Sequence, residues 1–516
     1  MQLTNLLRRC LQTNPDGIAV IERGVGRTWR DTADTIARAG RFLITQGVAP
    51  GDRVAVLALN STTFFDWLFA VPWVGAAIVP LNTRWSLEEL VHALRDCGAQ
   101  VLAVDHHFAD LAQGLRREIP GLTLVHTGHG PCPVGMEDYA AQLPDLAPAD
   151  EWPGGEDALW GILYTGGTTG HPKGVMLSHR NLFISAMFWM IGGGIGRSTR
   201  YLHIAGFFHI VSTMPVFAVT MTGGTHVIED KFEPVATMRA IERERTNFAT
   251  FVPTMLSMML NHPRFGEFDL TSMGRCIYGG SPIPDILIEG MIDNLPTWEF
   301  IQGYGQTETT GILTTLPWAD HFGEGEANKR TATGRPIPGV TLRLVDETGR
   351  DTPLGETGEI VVRGGNVMLG YWNNPGATAD TIRDGWLHTG DLARMDARGF
   401  LTIVGRSKDM IVTGGENVFS TEVENAVTRH PAVQDCAVFG IPSKEWGESV
   451  HAVVILKAGH DARAEDIMAF CRDRIAGYKC PRSLSFTDAF PMSAAGKVQK
   501  GVLRAPYWQG HEKQVG

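Results

Sequence analysis

Between residues 54 and 105 short apolar runs alternate with helical stretches, and this alternation restricts the fold more than any other feature of the chain. Val54–Asn60 reads as a buried strand, Thr62–Trp73 as an apolar helix and Ala76–Asn82 as a second strand. Ser86 and Glu89 then form a capping box, Leu87, Leu90, Val91 and Leu94 make one helical face, and Gly98 stops the helix before a third strand, Gln100–Asp105. Repeated strand–helix–strand units imply parallel sheets with right-handed crossovers. Residues 127–157, rich in Pro, Gly and acid, read as a surface connection. Alternation resumes with Trp160–Tyr164 as strand, Asn181–Trp189 as helix and Phe248–Val252 as strand, so two α/β sheets are expected up to roughly residue 330.

The pattern changes twice more. Val340–Asp346, Glu359–Arg363 and Gly399–Val404 are short strands separated by turn signals, which predicts a small antiparallel, barrel-like subdomain over about residues 335–405. Beyond it, helix Thr421–Arg429, strands Val433–Gly440 and Ser449–Leu456, and helix Ala464–Ile475 make an α+β unit of about 110 residues, enough for a separate domain. The expected division is a large N-terminal domain, 1–405, and a small C-terminal domain, 406–516, meeting at Gly405–Asp409. A chain of 516 residues exceeds what one core usually holds, which agrees with several units.

Charge and composition exclude some functions. Lys and Arg number 45 against 56 Asp and Glu, a net charge of −11, so a nucleic-acid partner is disfavoured. Seven cysteines without a C-x-x-C spacing argue against a zinc ribbon or a disulfide framework and for a reducing, cytoplasmic setting. The most apolar stretch, Phe64–Leu81, is broken by Asp66, Pro72 and Pro80, so no membrane span is expected there.

The segment Tyr164–Gly174 carries the chemistry. It combines Thr165, Thr168 and Thr169 with Gly166, Gly167, Gly170 and Gly174, and adds Lys173. Glycines let backbone N–H groups approach an oxyanion, hydroxyls donate to it and the lysine adds charge, which is the composition of a phosphate cradle. The spacing fits neither a Walker A loop nor a dinucleotide fingerprint.

This segment resembles the phosphate loop of the adenylate-forming superfamily, which includes acyl-CoA synthetases, adenylation domains and firefly luciferase. Further motifs follow in that superfamily's order: Gly279-Gly280-Ser281-Pro282, Tyr304-Gly305-Gln306-Thr307-Glu308, Thr389-Gly390-Asp391, Gly405–Asp409, Gly414–Val418 and Gly496-Lys497. The style is closest to AMP-dependent fatty acyl-CoA ligases. The resemblance implies ATP, Mg²⁺ and CoA as reactants and cofactor, and a mobile C-terminal lid. Glu308 is implied as the Mg²⁺ ligand, Thr307 as a neighbour of the α-phosphate, and Tyr304 as the adenine platform. Asp391 is implied as acceptor of the ribose hydroxyls, with Arg406 on the ribose or phosphate side. Lys497 is implied to bridge the carboxylate and the α-phosphate. The resemblance likewise makes His209 a neighbour of the acyl site, Lys408 the hinge, and Gly414, Gly415 and Lys479 the CoA face. The superfamily's amino-acid-activating members carry an Asp near position 209, and here none lies between Gly206 and Thr213, so an amino-acid substrate is disfavoured.

Some positions depart from the superfamily pattern. Gly166 and Ala495 stand where hydroxyl residues are usual, and Ser420 where Pro is usual. A lost hydrogen bond to a charged group is worth about 1.5–3 kcal/mol, so weak adenylation and reliance on a preformed acyl adenylate is one alternative. Loading of a carrier protein and a non-catalytic nucleotide- or acyl-binding role are the others. The leading expectation is an ATP-dependent ligase that joins a hydrophobic carboxylic acid to CoA, with a homodimer left open.

Overall fold

The computed structural model describes residues 2–165, 172–281, 283, 285–322, 329–492 and 498–509. Gly166, Gly167, Thr168, Thr169, Gly170, Pro282 and Lys497, all expected site residues, lie outside the described residues.

Two large sheets hold the first part of the chain. One has the strand order Gly370–Tyr371, Lys173–Ser178, Leu159–Thr165, Ala77–Pro80, Arg53–Leu57, Val101–Val104, Thr123–His126 and Glu137–Asp138. Its central strands are parallel and joined by helices Thr62–Trp73 and Leu87–Cys97. The local signals act as the sequence implies. Both halves of the Ser86–Glu89 capping box form, and Gly98 closes the helix at φ 65°, where a side chain would be strained.

The other large sheet runs Arg335–Pro336, Gly311–Leu316, Glu299–Gln306, Arg275–Gly279, Phe248–Phe251, Arg200–His203, Thr225–Ile228, Ile18–Glu22 and Val25–Thr28. Strands Phe248–Phe251, Arg275–Gly279 and Glu299–Gln306 are parallel, so their carboxyl ends share one edge of the sheet. A third, antiparallel sheet of Thr341–Val345, Thr357–Arg363, Trp386–Met395, Ile382–Arg383 and Leu401–Arg406 is the barrel-like element. The last sheet contains Glu416–Val418, Ile411–Thr413, Gly447–Leu456, Val433–Ser443 and Ser483–Phe486, flanked by helices Ser420–Thr428 and Ala464–Arg472.

Three features differ from the sequence reading. The N-terminal strand Ile18–Glu22 joins the sheet of residues 200–316, parallel to Thr225–Ile228, a pairing across some 200 residues that no local pattern signals. Residues 127–157 are more than a surface connection, since Tyr139 and Ala149 are buried and Trp152 donates its N–H to Trp73 O. Arg335–Pro336 and Gly370–Tyr371 pair with the two large sheets, although they fall within the stretch read as the barrel.

A chain of buried polar groups lies in the core of the second sheet. Thr220 Oγ1 donates to Val216 O at 2.7 Å, so it accepts from His226 Nε2 at 3.1 Å. His226 Nδ1 is then the acceptor for His203 Nε2 at 3.0 Å, and both rings are neutral. Burial pushes His203 down to about 3 and His226 in the same direction. Because the folded His203 binds its proton far below the ordinary value of about 6.5, the unfolded chain protonates first as pH falls. Stability is therefore full above about pH 6.5 and declines toward pH 3, by at most about 1.4 kcal/mol per pH unit for one ring. Calorimetry at pH 7.5 and 5.5 should show a larger loss of melting temperature for the wild type than for His203→Gln, which titrates one ring fewer. Equal losses would remove His203 as a source of the acid sensitivity.

Candidate active site

The carboxyl edge of strands Arg275–Gly279 and Glu299–Gln306 is built on close backbone approach. A Cβ on Gly279 would stand 2.1 Å from Gly303 O, and one on Gly305 would stand 1.8 Å from Gly311 O. Both positions therefore require glycine for packing, whatever else they do. Gly280 continues at φ +82° and leads to Ser281. After Gln306 the chain makes a 3-10 turn, Thr307–Thr309, and reverses through Thr310 at φ 55° and Gly311 at φ +101°. Gln306 caps this turn, its N–H donating to Thr309 Oγ1 at 3.0 Å, so Thr307 and Glu308 are held half-buried at the strand end.

Asp391 is the hub of the site. Tyr304 OH donates to its Oδ2 at 2.7 Å, Gln306 Nε2 donates to the same oxygen at 2.7 Å, and Arg406 Nε stands 3.0 Å from Oδ1. Arg406 is also the cross-strand partner of Asp391. Burial, and then the Asp391 charge, push the Tyr304 phenol far above its ordinary range, so it remains a donor. A carboxylate offers about four lone-pair sites, and three are taken here. About one site is left for a further donor, and a second would compete with Gln306 or Arg406.

A second cluster surrounds Glu308. Tyr371 OH donates to Glu308 Oε1 at 2.9 Å, and Lys173 Nζ lies 5.1 Å from the centre of the Tyr371 ring. Burial, and then the Glu308 charge, raise the Tyr371 phenol and keep it protonated. Thr165 and Lys173 face each other as the last residue of one strand and the first of its antiparallel partner. Tyr371 reaches this strand pair because Gly370–Tyr371 pairs with Val175 and Met176.

His209 heads the helix Ile210–Thr222 with its ring against Phe208, centroids 4.4 Å apart. The same helix carries Met214, which together with Trp189 and Ser185 faces Gly311. Phe217, Met214 and Trp189 are core residues with no exposed surface, while Met187 is exposed. These large apolar side chains are thus mostly core, and Trp189 and Met214 meet the strand edge at Gly311.

The remaining expected residues belong to the C-terminal sheet and its approach. Lys408 lies in a 3-10 turn, Ser407–Asp409, directly after Arg406, and burial followed by repulsion from Arg406 lowers its pKa. Gly414 and Gly415, at φ +61° and +84°, form the two-residue turn between Ile411–Thr413 and Glu416–Val418. Gly414 packs on Trp446, over which Arg482 is stacked at 4.4 Å. Lys479 is paired with Glu422 at 2.6 Å, so an anion at Lys479 has to compete with that carboxylate. Ser420, the departure from Pro, accepts from Lys500 Nζ at 2.9 Å, and Lys500 also pairs with Glu424 at 2.6 Å.

Two residues escaped the sequence reading. Gln306 fills the variable position of its motif, yet it also donates to Thr389 O at 2.9 Å and so ties the strand end to the Asp391 turn. Tyr371 left no signal, because its bond to Glu308 joins residues 63 positions apart.

The matches to known proteins agree with this arrangement. The model for the AMP-binding enzyme family matches residues 7–372, and that for the AMP-binding enzyme C-terminal domain matches 422–497. The chain belongs to the AMP-binding enzyme family. It is an adenylate-forming enzyme, a ligase of the acyl-CoA synthetase type. A feruloyl-CoA synthase from Amycolatopsis sp is 38% identical over 498 residues, covering 96% of this chain and 97% of the relative. The amide bond synthetase McbA from Marinactinospora thermotolerans superposes with a TM-score of 0.89 at 28% identity, over 98% of this chain and 99% of that one. The anthranilate CoA ligase AuaEII in complex with anthranoyl-AMP gives 0.90 at 27% identity, over 98% and 97%. Among the described residues of the present enzyme, no helix is long and apolar enough to cross a membrane.

Gly305→Ala tests the steric reading of the strand edge. The added methyl has only backbone to displace, and overpacking of this kind costs about 1–3 kcal/mol. Chemical denaturation should show a loss in that range; an unchanged midpoint would mean that the two strands separate freely.

Proposed function

We propose that this enzyme activates a hydrophobic carboxylic acid with ATP as an acyl adenylate and then transfers the acyl group to CoA. The observation that carries the reading is the Asp391 hub. One carboxylate gathers an aromatic ring, an amide and a guanidinium at the carboxyl edge of a parallel sheet, where ligands of α/β folds bind.

In this reading the adenine side is Gly279, Gly280, Ser281, Pro282, Tyr304 and Gly305, and the ribose side is Asp391 with Arg406. Attack of a carboxylate on the α-phosphorus brings two anions together, so cations and donors must offset their repulsion. Thr165, Gly166, Gly167, Thr168, Thr169, Gly170 and Lys173 take the β- and γ-phosphates, Thr307 takes the α-phosphate, and Lys497 offsets charge between it and the attacking carboxylate. Glu308 suits Mg²⁺, which prefers oxygen ligands: Tyr371 occupies Oε1, and among the described residues Oε2 has no hydrogen-bond partner. The ion would supply charge neutralisation on the phosphates. His209 borders the carboxylate, and the acyl group extends toward Gly311, Trp189 and Met214.

The acyl adenylate is a mixed anhydride with a good leaving group, so a positioned thiolate needs little further activation. The C-terminal unit, 406–516, turns about Lys408 between the two half-reactions and brings Gly414 and Gly415 beside the pantetheine arm. Glycines there leave room for the thiol to pass along the backbone. The names of relatives that act on aromatic and polycyclic acids support a hydrophobic substrate.

The test is a panel of aryl, polycyclic and alkyl acids, with acetate included, incubated with ATP, Mg²⁺ and CoA. Acyl-AMP and acyl-CoA are followed separately by mass spectrometry. Hydrophobic acids are expected to yield both products and acetate neither. Parallel arms with a holo-carrier protein and with a simple amine compare acceptors, and faster transfer to either would replace CoA in the scheme.

Lys497→Ala separates the half-reactions. Acyl-AMP formation should fall by about 10²–10³, the usual value of one preorganised electrostatic group, while thioester formation from supplied acyl adenylate stays within a few-fold. An unchanged adenylation rate would take Lys497 out of the mechanism.

A further inference from the structure

The helix Leu87–Cys97 carries none of the groups assigned so far, yet one of its residues touches both sides of the phosphate region. The carboxylate of Asp96 accepts from Tyr164 OH at 2.6 Å. Its main-chain oxygen accepts from Trp372 Nε1 at 2.9 Å and from Asn373 Nδ2 at 3.0 Å. Tyr164 is the residue before Thr165, the last residue of its strand. Trp372 and Asn373 directly follow Tyr371, the residue that holds Glu308 and lies beside Lys173.

The contacts between these segments are close. Tyr164 is opposite Gly174 in the strand pair, and a Cβ on Gly174 would meet Tyr164 Cζ at 3.1 Å and Trp372 Cβ at 3.3 Å. Trp372 N–H donates to Gly174 O at 2.7 Å. Tyr164 is 8% exposed, and its ring packs edge-on against Trp85. Burial first, and nearby negative groups after it, raise the phenol, so it stays a donor to Asp96. The facing ends of the two strands at Thr165 and Lys173 and the corner behind Glu308 thus share one anchor, contributed by a flanking helix.

We propose that Asp96 is a positioning residue for the phosphate half of the nucleotide site, holding the strand end at Thr165 through Tyr164 and the Tyr371 corner through its carbonyl. This rests on the reading of the site as an ATP site. Asp96 fixes where Thr165 and Lys173 stand relative to Glu308, and it contacts no substrate itself. A ligand bound through its triphosphate senses that spacing; one bound through adenine, ribose and a single phosphate depends on the Asp391 hub instead.

The experiment compares full-length wild type with Tyr164→Phe, Asp96→Ala and Asp96→Asn. Calorimetry gives the affinities for AMP and for a non-hydrolysable ATP analogue with Mg²⁺. Tyr164→Phe and Asp96→Ala are expected to weaken the ATP analogue about tenfold and leave AMP within twofold. Asp96→Asn, whose amide oxygen still accepts from the phenol, should return the ATP analogue to within about twofold of wild type. Asp96 borders an open surface cavity of about 570 Å³, so shortening it need not leave a closed void in the core. Tyr164→Phe keeps the ring in place and serves if Asp96→Ala folds poorly.

Equal affinities for the ATP analogue in wild type and Tyr164→Phe would overturn the proposal. So would a parallel loss of AMP and ATP-analogue binding, which is what a merely structural role predicts. Failure of the wild type to bind either nucleotide would instead overturn the ATP-site reading, and that failure is visible before any variant is compared.

Discussion

Asp391 is the carboxylate at which the antiparallel sheet and the large mixed sheet of this enzyme meet. It lies on the antiparallel sheet, accepts from Tyr304 and Gln306 on the large mixed sheet, and pairs with Arg406, the last residue before the Ser407–Asp409 turn. Its side chain is 7% exposed while that of Arg406 is 43% exposed, so the ion pair has a dry end and a wet end. Water screens the guanidinium and limits what the pair adds to stability. The two hydrogen bonds from Tyr304 and Gln306 set the position of the carboxylate. These contacts tie the end of the large mixed sheet to the antiparallel sheet at the candidate site.

Close packing at the strand edge makes that junction usable. Gly279 against Gly303, and Gly305 against Gly311, bring backbones nearer than any side chain allows. Polar backbone and short hydroxyl groups therefore line the edge, and larger side chains such as Trp189 and Met214 lie behind it. In the proposed function, a nucleotide would approach such an edge without displacing bulky groups, and an apolar acid would have its contact from the rear. The same sequence feature, small residues at four aligned positions, serves packing and access together.

Local features of the fold were legible in the sequence, and long-range ones were not. Thr62–Trp73 forms over the bounds its composition implies, and the Ser86–Glu89 box and Gly98 end their helix as expected, because capping and left-handed turns depend on a few adjacent residues. The pairing of Ile18–Glu22 with Thr225–Ile228 depends on two distant strands competing for one edge, and nothing near either of them encodes it. The site divides along the same line. Tyr304, Glu308, Asp391 and Arg406 are named by the sequence because they lie in contiguous motifs. The partners that orient them, Tyr371 on Glu308 and Gln306 on Asp391, were missed because a hydrogen bond between segments leaves no periodicity.

The contacts around Lys408 indicate what the proposed rotation there would have to break. Arg406 lies on the large-lobe side of Lys408 and can keep Asp391 throughout. Thr421 Oγ1, on the far side, donates to Val404 O and must let go. The pairs Lys500–Glu424, Lys500–Ser420 and Lys479–Glu422 all lie within the C-terminal unit and travel with it. Ser420 gains a physical account from this arrangement. Where Pro would only stiffen the start of the helix Ser420–Thr428, the serine hydroxyl also takes a hydrogen bond from Lys500, three residues beyond Lys497. The helix and the chain at Lys500 are thereby joined, so the proposed turn of the small domain would move both as one piece.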